Sequence, residues 1–290
     1  MTVFEAIIQG IVQGLTEFLP ISSSGHLKIA QYFLNLKENN LLFDVCLHLG
    51  TLFSVIFIYY DILLRLFVAS FTLVPKLFSD KKKNSYEKMV MNLFFSLVPL
   101  FFLFFPIPRI KNLKTFASRL ADSENISIVG FSLIVTSILL ILGFLYSKKF
   151  LGKRDVHGNK IDKITPRKAF IIGISQLFAT IFPGLSRSGS TLSIGILQGI
   201  RRETALDFSF IMGIPAILAA SILEIMEINS KKINIELIPI LAGIFVSAVV
   251  GFLSIKFFKW ILSNDKTWIF SLYSFIVGIL VLIFQNWVVM

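Results

Sequence analysis

Hydrophobic residues along this chain come in runs long enough to cross a bilayer, and two of the runs are broken near their middles. Uninterrupted apolar stretches predict spanning helices over about 41–60, 89–108, 126–147, 207–226, 237–258 and 267–289. Each is close to the roughly 20 residues that a hydrocarbon core requires. Residues 61–78 extend the first as an amphipathic or interfacial stretch. The apolar stretches 3–36 and 169–200 differ, because Pro, Gly and polar residues interrupt them at Pro20 to Gly25 and at Pro183 to Gly189. That pattern predicts a helix–turn–helix that enters the membrane and returns. Non-helical backbone at membrane depth survives only where protein covers it or where it lines a wet cavity.

The two broken stretches resemble each other. At one fixed offset, Ala6, Gly10, Gln13, Pro20 and Ser23 fall on Ala169, Gly173, Gln176, Pro183 and Ser186. The same offset puts Asp44 on Asp207 and Gly50 on Gly213. The expectation is a single membrane domain over 1–290 made of two homologous halves, 1–147 and 148–290. Each half holds one re-entrant segment and three spans. An odd number of spans makes the halves inverted relative to each other, and broken helices at matching places point to a midplane site. The fold class expected is thus an all-α integral membrane protein with about six spans and two re-entrant segments in inverted repeats.

Composition agrees with the pattern. Of 290 residues, 55% are hydrophobic and only 16% charged, against about 25% charged in soluble domains; mean hydropathy is +0.80. The net charge of +11 invites a nucleic-acid reading, but the basic residues sit in short segments between apolar runs, where they set orientation. No nucleic-acid partner is expected. Arg65, Lys76, Lys81 to Lys88, the segment from Lys148 to Lys168, Arg201, Arg202, Lys256, Lys259 and Lys266 share one side of the six-span topology. Fewer basic residues, from Lys28 and Lys37 to Lys231 and Lys232, share the other. The positive-inside rule makes the richer side cytoplasmic, puts both termini outside, and brings the two re-entrant segments in from opposite faces. Counting both broken stretches as full spans changes this assignment. Cys46 is the sole cysteine and no Cys–His metal spacing exists. The N-terminus carries Glu5 in place of a basic signal-peptide region and is expected to be retained.

The candidate chemistry sits in the two breaks. Gly14-Leu-Thr-Glu-Phe-Leu-Pro-Ile-Ser-Ser-Ser-Gly-His26 places an acid, three hydroxyls and an imidazole in apolar surroundings, where such groups need partners or a task. Gln13 and Glu17 are i and i+4 on a helix; they could give oxygen ligands to a divalent cation or orient a catalytic histidine. A structural salt bridge is the plain alternative for Glu17. Ser22, Ser23, Ser24 and Gly25 suit a turn whose N–H groups converge on an anion, and one serine could be a nucleophile, although helix capping alone would explain one of them. His26 suits proton transfer, or even nucleophilic attack, or an ordinary interhelical hydrogen bond. In the second break Arg187 offers bidentate phosphate recognition, with Ser186, Ser188, Ser190 and Thr191 as further donors and Gly184 and Gly189 permitting close approach. A helix opening near residue 190 would add positive dipole. Arg187 could instead simply pair with Glu17, which would also bring the breaks together. Asp44 and His48, i and i+4 on the first span, read mainly as a helix-face pair or as support behind the site residues, and Arg201 and Arg202 as interfacial anchors.

These residues resemble the bacitracin-resistance family of undecaprenyl-diphosphate phosphatases over essentially the whole chain. The family's Glu/Gln-x-x-x-Glu motif matches Gln13 and Glu17, its Phe-Leu-Pro-x-Ser-Ser-x-Gly-His matches Phe18 to His26, and its Pro-Gly-x-Ser-Arg-Ser-Gly matches Pro183 to Gly189. Phe208 to Pro215 is also similar to the family. The resemblance implies hydrolysis of a C55 polyprenyl diphosphate to the monophosphate, recycling the lipid carrier of cell-wall precursors and conferring bacitracin resistance. It also implies a multi-pass protein of the bacterial inner membrane, a site reached from the periplasmic side, a divalent cation such as Mg²⁺ or Ca²⁺, and membrane lipids as surroundings. It leaves room for a homodimer. Gln13 in place of a carboxylate removes one negative charge, which weakens the case for a cation cage built on two acids, though Glu17 with Gln13 stays the expected metal site.

On this reading Glu17, Ser23, His26 and Arg187 are the catalytic group. Gln13, Ser22, Ser24, Gly25, Ser186, Ser188, Gly189 and Thr191 surround the substrate. Ser23 or water attacks, with His26 oriented by Glu17. The competing class is a lipid-phosphate transporter, since inverted repeats with re-entrant segments are also transporter architecture. Another membrane phosphatase signature, which needs an Arg-Pro dipeptide and a histidine where Ser193 stands, does not fit.

Overall fold

The computed structural model describes residues 1–34, 36, 41–77, 82–107, 110–122, 127–151, 164–228 and 236–288. It is an all-α integral membrane protein whose helices are α1 (Val3–Phe18), α2 (Ser23–Phe33), α3 (Leu41–Ile58), α4 (Tyr60–Leu77), α5 (Ser85–Leu97), α6 (Leu113–Asp122), α7 (Ser127–Tyr146), α8 (Pro166–Ile181), α9 (Arg187–Leu197), α10 (Arg202–Ile228), α11 (Leu237–Ser263) and α12 (Trp268–Val288). Five stretches are long and apolar enough to cross a membrane: Leu41–Ile58, Ser85–Phe104, Ser127–Phe150, Arg202–Met226 and Leu237–Ser263. The apolar part of α12, Trp268–Phe284, is shorter and stands where the sixth span is expected.

The main departure lies in the second span. Asn84 and Glu87 form a reciprocal capping box that starts α5 at Ser85, ahead of the expected 89. Pro99 then tightens the chain into a 3₁₀ helix over Val98–Phe104, because proline cannot donate to the α ladder. The helix stops there, and Pro106–Ile107 pairs with Ile110–Asn112 in a short antiparallel ribbon in place of a helix running to 108. Of the stretch 61–78, residues 61–77 belong to a separate helix, α4, and 78 lies outside the described residues; Lys76 ties α4 to α5, its ammonium donating to both oxygens of the fully buried Glu87 at 2.7 and 3.0 Å.

Both breaks take the same form. Leu19, before Pro20, is extended (ψ 141°), and Phe182, before Pro183, is extended (ψ 108°), as the proline ring demands of its predecessor. Each chain then reverses through a positive φ, at Ser22 (73°) and at Gly184 (88°). Ser22 bears that strain without glycine's freedom. The helices α1 and α2, and likewise α8 and α9, pack against each other as hairpins. Packing between the halves is reciprocal: α1 lies on α11 and α8 on α5, α3 contacts α11 and α10 contacts α5, and α7 lies against α12. That exchange is what two copies of one unit, interleaved, would produce.

Small residues set these close approaches, as expected where lipid supplies no hydrophobic drive between helices. Gly10 and Gly14 of α1 face Gly243, Ser247 and Gly251 of α11. In α7 and α12, Gly130 and Gly278 lie against each other's backbone. Large apolar side chains turn outward instead, among them Phe53, Phe57, Phe67, Phe131 and Phe245, as lipid-facing positions should. A methyl group at Gly14 would come within 2.9 Å of the Ser247 carbonyl oxygen and the Gly251 nitrogen, so backbone must move. Gly14→Ala is expected to lower stability by about 1–3 kcal/mol, read as an earlier thermal unfolding transition in detergent.

Candidate active site

The two breaks meet. Ser188 donates to the Leu19 carbonyl across the halves (3.4 Å), and Gly189 lies so close to Pro20 that a side chain would press on its ring. The strongest link is ionic: Arg187 Nη2 donates to Glu17 Oε1 at 2.5 Å. Glu17 is 7% exposed. A carboxylate so placed persists only if paired and hydrogen-bonded, and it is both. Its other oxygen, Oε2, accepts from Ser23 Oγ at 2.8 Å and from Gln13 Nε2 at 3.1 Å.

A histidine belongs to this cluster, and it is His48. Its Nδ1 lies 2.8 Å from Gln13 Nε2 and 3.4 Å from Glu17 Oε2. An amide nitrogen only donates, so Nδ1 accepts from Gln13 and the neutral ring carries its proton on Nε2. Asp44, the expected helix-face partner of His48, accepts instead from Gln31 (2.8 Å); the two part to different neighbours. His26 is held elsewhere: Nδ1 meets the Ser22 carbonyl at 2.8 Å and Nε2 meets the Tyr273 hydroxyl at 2.7 Å. Glu17 therefore does not orient His26.

A cavity of about 200 Å³ opens beside the ion pair. Glu17, Ser22, Ser23, Ser24, Ser186, Arg187 and Ser188 line it, with His48, Gln176, Ser221 and Glu224 added from α3, α8 and α10. Five expected site residues do not line it. Gln13 acts behind Glu17. Gly25 packs toward Val129 and Gly189 toward Pro20. Thr191 turns to α10, where its hydroxyl is 2.6 Å from that of Ser209. His26 faces Tyr273. Helix α9 opens at Arg187, with Ser186 as its cap accepting from the Gly189 N–H (3.1 Å), ahead of the expected opening near 190. Helix α2 opens at Ser23, so two helix N-termini reach the same cavity.

The guanidinium is more than a counter-ion. One N–H serves Glu17, and the fork has five, so donors remain for a ligand in the cavity. The Glu17–Gln13 pair does not fit a cation: both carboxylate oxygens face donors, one of them positive, and Gln13 presents its nitrogen. Among the described residues no three His, Cys, Asp or Glu side chains group closely enough to hold a metal ion. Arg202, expected as an interfacial anchor, pairs with Asp265 and donates to Ser147.

The family model described as "Bacitracin resistance protein BacA" matches residues 6–280 of the chain. The chain is 35% identical over 289 residues to an undecaprenyl-diphosphatase of Carboxydothermus hydrogenoformans, covering 98% of both chains. It is 36% identical to one of Alkaliphilus metalliredigens, covering 98% of this chain and 99% of the relative. It is 33% identical to one of Treponema denticola, covering 96% of each.

Gly213 of α10 lies directly under the guanidinium: a methyl group there would overlap Arg187 Nη1. The arginine, being the flexible partner, would yield. Gly213→Ala is expected to leave the helical content intact and to lower the activity of the cavity about a hundredfold, the scale of a misplacement of roughly 1 Å; circular dichroism and turnover rates check the two halves of this statement.

Proposed function

The chain belongs to the bacitracin resistance protein BacA family, and from that premise we propose that the cavity beside Glu17 and Arg187 is where it removes the terminal phosphate of undecaprenyl diphosphate. The chain is a membrane phosphatase whose products are undecaprenyl phosphate and inorganic phosphate, an activity that underlies bacitracin resistance. The observation that carries the site assignment is the single carboxylate that holds both Ser23 Oγ and the guanidinium of Arg187, at 2.8 and 2.5 Å, on the wall of a polar cavity.

Phosphoryl transfer asks mainly for positioning and for stabilisation of negative charge. The remaining Arg187 donors, the hydroxyls of Ser186 and Ser188, and the N-termini of α2 and α9 supply it. Ser23 Oγ attacks the terminal phosphorus as its proton passes to Glu17 Oε2. The P–O bond to the lipid phosphate breaks, and undecaprenyl phosphate leaves with the electron pair. Water then attacks the same phosphorus, the P–Oγ bond to Ser23 breaks, Glu17 returns its proton to Ser23 Oγ, and the water's protons leave on the inorganic phosphate. His48, in line behind Oε2, relays protons between Glu17 and the cavity. The prenyl chain stays in lipid, and the protein sits in the bacterial cytoplasmic membrane with the cavity reached from outside.

Two experiments test this reading. Arg187→Lys keeps the charge opposite Glu17 but loses the planar fork; purified in detergent, it is expected to fold and to release phosphate about a hundredfold more slowly. Acid quenching during turnover is expected to trap phosphate on Ser23, and Ser23→Ala to abolish both the trapped species and turnover. Near-normal rates in either variant would refute the site.

A further inference from the structure

Gln176 of α8 lies in the wall of the catalytic cavity, 1% exposed, and among the described residues neither its Nε2 nor its Oε1 has a hydrogen-bond partner. Burying an amide unpaired is unfavourable enough that native structures rarely tolerate it without a reason. The repeat supplies the contrast. Gln176 corresponds to Gln13, whose amide nitrogen serves Glu17 and His48. At the positions corresponding to those two partners the second half carries Thr180 and Ile211. Ile211 has no polar atom, and the Thr180 hydroxyl is turned back to the main-chain carbonyl of Gln176 (3.0 Å), away from the amide. The second half has therefore kept the glutamine and lost what would satisfy it internally, and it presents the amide to the cavity where Arg187 and Ser186 also stand.

We propose that Gln176 is a phosphate-binding residue, its amide donating to an oxygen of the phosphate held beside Arg187. This rests on the cavity being the phosphatase site. The amide N–H₂ is a donor without charge, so it reaches a phosphate oxygen without competing with Arg187 for Glu17. Its Oε1 accepts in turn from a hydroxyl of a partly protonated phosphate or from a bound water. The same chemistry serves the substrate's diphosphate and the free inorganic phosphate product, so the two are separated by experiment.

Gln176→Leu removes both polar atoms at nearly constant shape, and an unpaired buried amide replaced this way leaves the fold as stable or more so. The full-length variant and Gln176→Met are compared with wild type in detergent, following phosphate release from undecaprenyl diphosphate, inhibition by added inorganic phosphate, and thermal unfolding. The expected result is a KM raised about ten- to a hundredfold, with kcat changed far less and an unfolding temperature equal to or above wild type. If the inhibition constant for phosphate rises in parallel, Gln176 holds the phosphate that leaves; if it stays unchanged, Gln176 holds the phosphate that remains on the lipid. Unchanged KM and unchanged phosphate inhibition in a folded variant overturn the proposal, as does loss of folded protein in both variants, which would make the amide a structural element. A wild-type protein that releases no phosphate would instead overturn the phosphatase site itself.

Discussion

A buried carboxylate and a half-buried guanidinium inside a membrane protein's helical bundle hold each other in place. Removing one partner of such a pair leaves an uncompensated charge that disfavours the fold by about 3–5 kcal/mol. Glu17 and Arg187 belong to different halves of the chain and to different breaks, so their pairing at 2.5 Å requires those breaks to meet. The rest of the arrangement follows from that requirement. Irregular backbone at membrane depth has to be covered by protein, and each break covers the other, with Ser188 reaching the Leu19 carbonyl and Gly189 seated on Pro20.

The meeting point is held from behind by close helix contacts. Gly10 and Gly14 let α1 sink onto α11, and Gly50 lets α3 do the same beside Ser247. Its counterpart in the second half, Gly213, has a different neighbour: the guanidinium of Arg187. At the same sequence offset, one glycine thus serves a helix interface and the other seats the guanidinium. The offset likewise pairs Gln13, which braces Glu17, with Gln176, whose amide has no partner among the described residues. The two breaks give the cavity its two converging helix N-termini.

Much of this was legible in the sequence because it rests on strong local signals. Pro20 and Pro183 stand beside glycines and serines that together mark a break, and Glu17 and Arg187 are too polar for their surroundings to be incidental. The unbroken apolar runs marked the spans, apart from the second, where Pro99 shortened the helix. The Glu17–Arg187 pairing was among the alternatives that the sequence offered, but several other side-chain directions across space escaped it. His48 had a satisfactory local partner in Asp44, so the sequence left open whether it served that pair or stood behind the site residues, and only the structure aims it at Glu17. Thr191 and His26 share motifs with true cavity residues, yet helix periodicity turns Thr191 to Ser209 and His26 to Tyr273. Gln176 was marked only by the offset to Gln13.

The central claim is that the two halves make one site through the Glu17–Arg187 pair. A double-mutant cycle measures that interaction directly. Glu17→Gln, Arg187→Gln and the double variant are compared with wild type by kcat/KM for phosphate release from undecaprenyl diphosphate. If the pair acts as a unit, the double variant is no slower than the worse single variant. Losses that multiply, so that the two substitutions act independently, would contradict the account.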